Sequence, residues 1–409
     1  MFEAVTIALK AADVGSIAEA LVYYGKTDVV LRGGTLMPLV ETFGFEPLIR
    51  AIDGRFLELT FEVSSPVVVT NSAPFEVHGF AIAGQANPKR KRPMSAAEAV
   101  EQQFYRKLGN SSEVRAQARL LGERVKERVQ SPAVLTAIQA QLADKSYLEA
   151  SIREVLRTLV PEYSIPKDLG LDVFDTGSGF AIMTTLDFAR INEFYHRTIP
   201  VEHSSVNVAT LLSTMLEAEK EMDFAAKTGT DLWADETGAS ILRLRTNSLA
   251  NRIAGARNHI DYFQLVEFEG RTFRSTIGSG ERSISDLLDL LEHEDAKKFK
   301  QWLSEQTPTG ALLKEYDRAV FSDTPWTKRL PFKAGKLMLF AGIGVAIDQA
   351  VGSAGLATAA ALAASYASGV AVGAGDELLA ATLANGWKPN QFINGAANQF
   401  LAPPNDKAV

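Results

Sequence analysis

Hydrophobic positions in the first 85 residues fall in short runs, several with a two-residue period, and the runs are separated by turn residues. Val29, Val30 and Leu31 form a buried strand stopped by Arg32-Gly33-Gly34. Residues 36–43 and 47–52 carry a helical pattern. Residues 55–63 then alternate as a strand, with Phe56, Leu59 and Phe61 apolar. Two further strand-like runs, 66–70 and 75–83, flank the turn residues Asn71 and Ser72. A mixed α/β unit is the expected product.

From Ser95 the period lengthens to that of a helix. Ser95 and Glu98 stand at capping-box spacing and open a helix to about 108. A second helix starts at Ser112, with Val114, Ala118, Leu121, Val125 and Val129 on one face. Pro132 marks a third start, and 146–159 forms a fourth helix. Residues 187–196 and 205–227 are helical too, the latter offering Val208, Leu211, Leu212, Met215 and Met222 to a core. Residues 273–277 read as a lone strand ahead of Gly278-Ser279-Gly280, and 283–291, 295–305 and 310–321 as helices. The predicted fold class is α+β, predominantly α-helical: a small α/β N-terminal unit, then a helical region that ends in an apolar Ala/Gly-rich helical hairpin.

That ending, 337–375, contains one charged side chain, Asp348, and is approached by Lys328, Arg329, Lys333 and Lys336. Gly352-Ser353-Ala354-Gly355 reads as a turn between arms 337–351 and 356–373, and the alternative is one span over 350–375, long enough but rich in weakly hydrophobic Ala and Gly. As helices the arms measure about 22 and 27 Å, a little short of a bilayer core about 30 Å thick. Asp348 adds about 2.5–3.5 kcal/mol at a membrane centre and less near headgroups. Small residues at 342, 346, 350 and 354 allow close backbone approach in lipid and in protein cores alike. In composition and length the segment resembles the hydrophobic hairpin of colicin-type pore-forming toxins, a likeness covering about a tenth of the chain. The resemblance implies a hairpin stored in a soluble body before insertion. Leu337, Leu339, Phe340, Val345, Leu356, Leu362 and Val370 are the expected contacts with a membrane or a protein partner.

Asn87-Pro88-Lys89-Arg90-Lys91-Arg92-Pro93 is the clearest linker, because four successive cations between prolines stay hydrated. Lys89, Arg90, Lys91 and Arg92 are the candidate contacts with an anionic surface. The predicted organisation is therefore a small α/β domain (1–86), a basic linker (87–94), a mainly helical domain (95–330), the hairpin with its capping helix (331–401) and a tail (402–409). Asn385-Gly386 ends the capping helix, and Trp387 and Phe392 are expected to fold back over the bundle.

Composition narrows the function classes. Net charge is −7, yet residues 89–129 hold 11 Lys/Arg against 5 Asp/Glu, which leaves −13 for the rest. An acidic chain with one basic island argues against general nucleic-acid binding. Cysteine is absent, which removes thiolate chemistry and disulfides and agrees with a reducing cytoplasm. Met1-Phe2-Glu3-Ala4 lacks a basic n-region, so no secretory signal is expected. The five histidines never stand at metal-ligand spacing. Asp175-Thr176-Gly177 has the form of an aspartic-protease loop, but that chemistry needs a second such carboxylate on the same chain or on a dimer partner; the chain has no second copy and the surrounding pattern is helical, so a turn into strand 180–184 is expected. Gly33-Gly34 lacks the Gly-Lys-Ser/Thr of a phosphate loop and reads as a tight strand-to-helix turn.

No catalytic, cofactor or metal residue is nominated, and the small-molecule ligand is open. Three function classes follow. The most specific is a cytoplasmic effector, toxin-like or pore-forming, whose hairpin meets a membrane peripherally or on a trigger. The second is a soluble, non-catalytic binding or regulatory protein with the hairpin as core, alone or as an oligomer. The third is an enzyme without a recognisable motif.

Overall fold

The computed structural model describes residues 4–8, 13–72, 75–84, 86–87, 92–228, 230–233, 238, 240–242, 244, 263–269, 273–305, 333–340 and 389–402. In chain order it begins β1 (Ala4–Ala8), α1 (Val14–Tyr23), β2 (Lys26–Leu31), α2 (Leu36–Phe43), α3 (Phe45–Asp53), β3 (Leu57–Glu62), β4 (Ser64–Asn71) and β5 (Val77–Gly84). A two-residue pair, β6 (Ala86–Asn87) and β7 (Arg92–Pro93), leads to α4 (Ala96–Leu108), α5 (Ser112–Gly122), β8 (Lys126–Arg128), α6 (Ala133–Leu142) and α7 (Lys145–Leu159). Then come β9 (Asp172–Asp175), β10 (Phe180–Met183), α8 (Phe188–Tyr195), α9 (Val208–Thr228), β11 (Asp231–Trp233) and β12 (Phe263–Glu269). The last elements are α10 (Phe273–Gly278), α11 (Ile284–Glu292), α12 (Glu294–Glu305), β13 (Lys333–Phe340) and helical turns over 389–401. The protein combines sheets with a larger share of helix, as the α+β expectation holds.

Five strands form an all-parallel sheet in the order β11-β1-β2-β3-β8. Each step from β1 to β8 moves one strand in the same direction, so right-handed crossovers put α1 to α5 on one face. Val5, Ile7, Val29, Leu31, Leu59 and Phe61 bury that face against Leu21, Leu36, Leu48 and Phe104. The sheet draws strands from both sides of the 87–94 segment. Arg92 pairs with Glu98 at 2.7 Å, while Lys89, Arg90 and Lys91 lie outside the described residues.

Local signals explain many boundaries. Asp13 caps α1 by accepting from the Ser16 backbone N–H at 3.0 Å. Ser95 and Glu98 form the expected capping box of α4. Thr35 Oγ1 accepts from the Arg32 N–H at 3.0 Å and tightens the Gly33-Gly34 turn.

Three expectations fail. The helix from Ser112 stops at Gly122, where α5 crosses close to Ala97, and Lys126–Arg128 pairs with β3 instead of continuing it. Residues 273–278 are helical, because Phe273, Thr276 and Ile277 bury one side against α1. Residues 333–340 are a strand paired antiparallel with β12, so Leu337, Leu339 and Phe340 do not begin a helical arm. The rest of the hairpin, including Val345, Leu356, Leu362 and Val370, lies outside the described residues, as do Trp387 and the 403–409 tail. Phe392 does fold back, stacking on Phe299 with ring centroids 4.8 Å apart, and Phe400 sits 5.5 Å from Phe273.

The α1–α10 crossing is tight. A Cβ on Gly15 would lie 2.6 Å from the Arg274 carbonyl oxygen. Gly15→Ala is therefore expected to cost about 1–3 kcal/mol by forcing two packed helices apart. A chemical-denaturation midpoint unchanged by that substitution would refute the close approach.

A second core lies under α6 to α9. Leu211, Leu212, Met215 and Met222 of α9 bury against Leu148, Val155 and Ile191. An antiparallel sheet, β4-β5-β10-β9, packs Phe80, Phe180 and Ile182 onto it. The Asp175 carboxylate accepts from the Gly177 N–H at 2.8 Å, which makes 175–178 the turn of the β9–β10 hairpin.

A buried ionic face as candidate functional site

Parallel sheets covered on both faces are usually apolar on both. Here the strand residues that alternate away from α1–α5 are Thr6 on β1, Lys26, Asp28 and Val30 on β2, and Glu58, Thr60 and Glu62 on β3, with Lys126 and Arg128 on β8. The parallel register sets Thr6 beside Asp28, Asp28 beside Glu58, and Glu62 beside Arg128. Helix α9 lies against this side of the molecule, touching β1, β4 and β11.

At the carboxyl ends of β2, β3 and β8 these side chains meet Glu217, Lys220, Glu221 and Phe224, which share one stripe of α9 at i, i+3, i+4, i+7 spacing. Lys220 is completely buried. Its ammonium lies 3.1 Å from Glu62, 2.8 Å from Glu217 and 3.6 Å from Glu221, and it donates to Ser65 Oγ at 3.3 Å. Arg128, also buried, reaches Glu221 at 3.2 Å and donates to the Lys220 carbonyl at 2.9 Å, with its guanidinium 4.0 Å over the Phe224 ring. Arg32, just past β2, bonds Glu62 at 3.1 Å and pairs with Glu217. Gln130 adds a contact to Glu62 at 3.3 Å.

Three cations and three carboxylates balance here. Burial alone would push the Glu221 carboxyl up, but Arg128, Lys220 and Arg32 outweigh it and hold it below the usual range. Burial likewise works against the charge on Arg32, and Glu217, Glu62 and Glu221 reverse the effect. In open α/β sheets ligands meet the crevice outside the strand carboxyl ends, and Arg32 and Glu217 are the more exposed members of the cluster at that edge. With each charge already met by another, the arrangement holds α9 on the sheet electrostatically.

Three more ionisable groups are buried with less compensation. Burial raises Asp28 to about 6, against a 2.8 Å hydrogen bond from Thr60 that favours the carboxylate. Burial raises Glu19 on α1 to about 7, opposed by Arg274, and its Oε1 accepts no hydrogen bond. Lys300 on α12 is lowered by burial to about 7; its Nζ makes no hydrogen bond and lies 5.3 Å from the Phe56 ring centroid.

None of these residues was nominated from sequence, and none of the nominated residues joins the cluster. The available signal was charge on otherwise buried elements, Glu58-Leu59-Thr60-Phe61-Glu62 and Glu217 to Phe224. Among the described residues no group of three or more His, Asp or Glu could hold a metal ion, and no helix is long and apolar enough to cross a membrane. Comparison with protein-family models, curated proteins and solved structures found no match to this chain.

Proposed function

We propose that this protein is a cytoplasmic effector that acts at a lipid membrane, in the toxin-like or pore-forming manner, through the apolar segment beyond β13. The supporting observation is the near absence of charge from 337 to 375, where Asp348 stands alone in a chain that is 22% charged overall. The described residues on either side of the segment bear on how it would act. Upstream, β13 is zipped to β12 and runs beside β11. Downstream, Phe392 and Phe400 are buried in the main core. With both flanks tied to the same body, a chain that enters a bilayer has to leave on the same side. The reading is therefore a hairpin that enters and leaves the bilayer on one side.

Because 337–340 are extended, the first arm shortens to 341–351, about 16 Å as a helix. That reaches roughly half of a bilayer core and gives a re-entrant insertion. Asp348 would then sit near the turn at 352–355. The alternative use of the segment is burial against protein, which makes the chain a soluble binding or regulatory protein.

Full-length protein is expected to float with phosphatidylcholine/phosphatidylglycerol liposomes and release an encapsulated dye. Replacing 341–375 by a short Gly/Ser linker should abolish both effects and leave the circular dichroism of the body intact. Failure of the intact chain to float or leak at any pH or lipid composition ends the membrane reading. Unfolding of the linker variant would instead identify the segment as core.

A further inference from the structure

We propose that the outer face of the β4-β5-β10-β9 sheet is a self-association surface, packed in solution against the same face of a second copy of this chain. An antiparallel sheet with one solvated side normally alternates apolar-in with polar-out. This one does not. The inward positions Val68, Phe80, Phe180, Ile182 and Val173 pack on the second core. By the strand register the outward positions are Ser65, Val67, Val69 and Asn71 on β4, then Val77, Gly79, Ala81 and Ala83 on β5, with Ser65 at the end that Lys220 reaches. Ala181 and Met183 on β10 and Phe174 on β9 complete the row.

The large side chains on this side stand in water. Val69 is 50% exposed, Phe174 51% and Met183 63%, with Phe75 at the adjoining turn 55%. The antiparallel register that sets Phe180 opposite His78 brings Met183 level with the Phe75 end of β5. The four side chains therefore stand around Val77, Gly79 and Ala181, a centre without a large side chain. Such a centre lets a second sheet approach to about 10 Å.

Charge and area select the occupant. In these strands the ionisable side chain alternating to this side is Asp172, and Lys145 already pairs with it at 3.1 Å. With that one pair neutralised at its edge, the face carries no net charge with which to choose a charged partner or an anionic lipid surface. Two copies related by a two-fold axis, by contrast, meet here without opposing like charges. The four large side chains expose on the order of 400 Å², within the range of patches that mark interaction sites. With the smaller residues, a face-to-face pair buries on the order of 1,000 Å² in total, the size of weak and transient interfaces, so the dimer is reversible and concentration-dependent.

Sedimentation velocity of the full-length chain across micromolar concentrations is the test. The wild type should shift from monomer to dimer with concentration. Phe174→Ser and Met183→Lys should each raise the dissociation constant at least about tenfold, with an unchanged thermal midpoint because both side chains are more than half exposed. The natural absence of cysteine gives a second readout. Ala181→Cys should form a disulfide-linked dimer under mild oxidation, and Arg115→Cys on α5 should not. A wild type that stays monomeric, self-association unaffected by either sheet substitution, or equal cross-linking at 115 and 181 would each overturn the proposal. So would association that disappears only when 341–375 is replaced.

Discussion

Lys220→Ala is expected to lower the unfolding free energy by about 3–5 kcal/mol, the usual cost of removing one partner from a buried ion pair. The ammonium is the one fully buried cation that reaches Glu62, Glu217 and Glu221 together, and two of these carboxylates are almost fully buried. Without it, Arg32 and Arg128 remain, and three carboxylates share two guanidinium groups. The cavity left by the four-carbon stem adds to the loss. Urea denaturation reads the effect directly. A Glu62→Gln change on the same background should recover part of it, because the excess negative charge is then gone. The coupling in that double-mutant cycle is expected to exceed about 1 kcal/mol. Strictly additive effects would mean that water reaches the cluster in solution and that α9 is held by its apolar face alone. For contrast, Arg119→Ala removes an exposed i,i+4 pair with Glu123 and should cost no more than about 0.5 kcal/mol.

The same cluster shows where sequence reasoning stops. Period and capping carried β2, β3, α4, α7 and α9, since each states its own inward face in consecutive residues. The ionic face needs Glu62, Arg128 and Lys220 together, and nothing between those positions announces that they meet. Glu58, Thr60 and Glu62 alternate with Leu57, Leu59 and Phe61 as they would on a half-solvated strand, so the covering helix is invisible in the pattern. Lys126-Glu127-Arg128 has no intrinsic preference for strand, and its conformation follows from the open edge of β3. Phe273 to Ile277 carries β-branched residues in a six-residue element, too short for the helical period to compete until α1 supplies a surface. The apolar outer face of the second sheet was legible in part. Strand-like runs at 66–70 and 75–83 are apparent, but the two partner strands, β9 with Phe174 and β10 with Met183, lie about a hundred residues further on.

Glu19 and Lys300, the two of the three under-compensated groups with the largest shifts, predict an unusual pH profile. For Glu19 the folded state holds its proton up to about 7, whereas an exposed carboxyl loses it near 4.5. Between those values the folded state binds more protons, so stability is full below about 4.5 and falls, by on the order of 3 kcal/mol, as pH rises toward 7. Lys300 has the opposite sign. Its folded value is depressed to about 7 from 10.5, so the unfolded state binds more protons in that window and stability rises with pH above neutrality. Taken together, the two contributions place a minimum near pH 7, where many proteins are at their most stable. Lys300→Met keeps the stem and removes the amine, and it should raise the unfolding free energy at pH 7 by roughly 2–4 kcal/mol after the weak contact with Phe56 is lost. Glu19→Gln should reduce the slope on the acid side, leaving the part that Asp28 contributes up to about pH 6, with the alkaline limb in place. Urea unfolding at pH 5, 7 and 9 for the two single variants and their double measures both limbs separately. If Lys300→Met is neutral at pH 7 and the alkaline slope survives it, the amine is solvated in solution and α12 does not seal against Phe56.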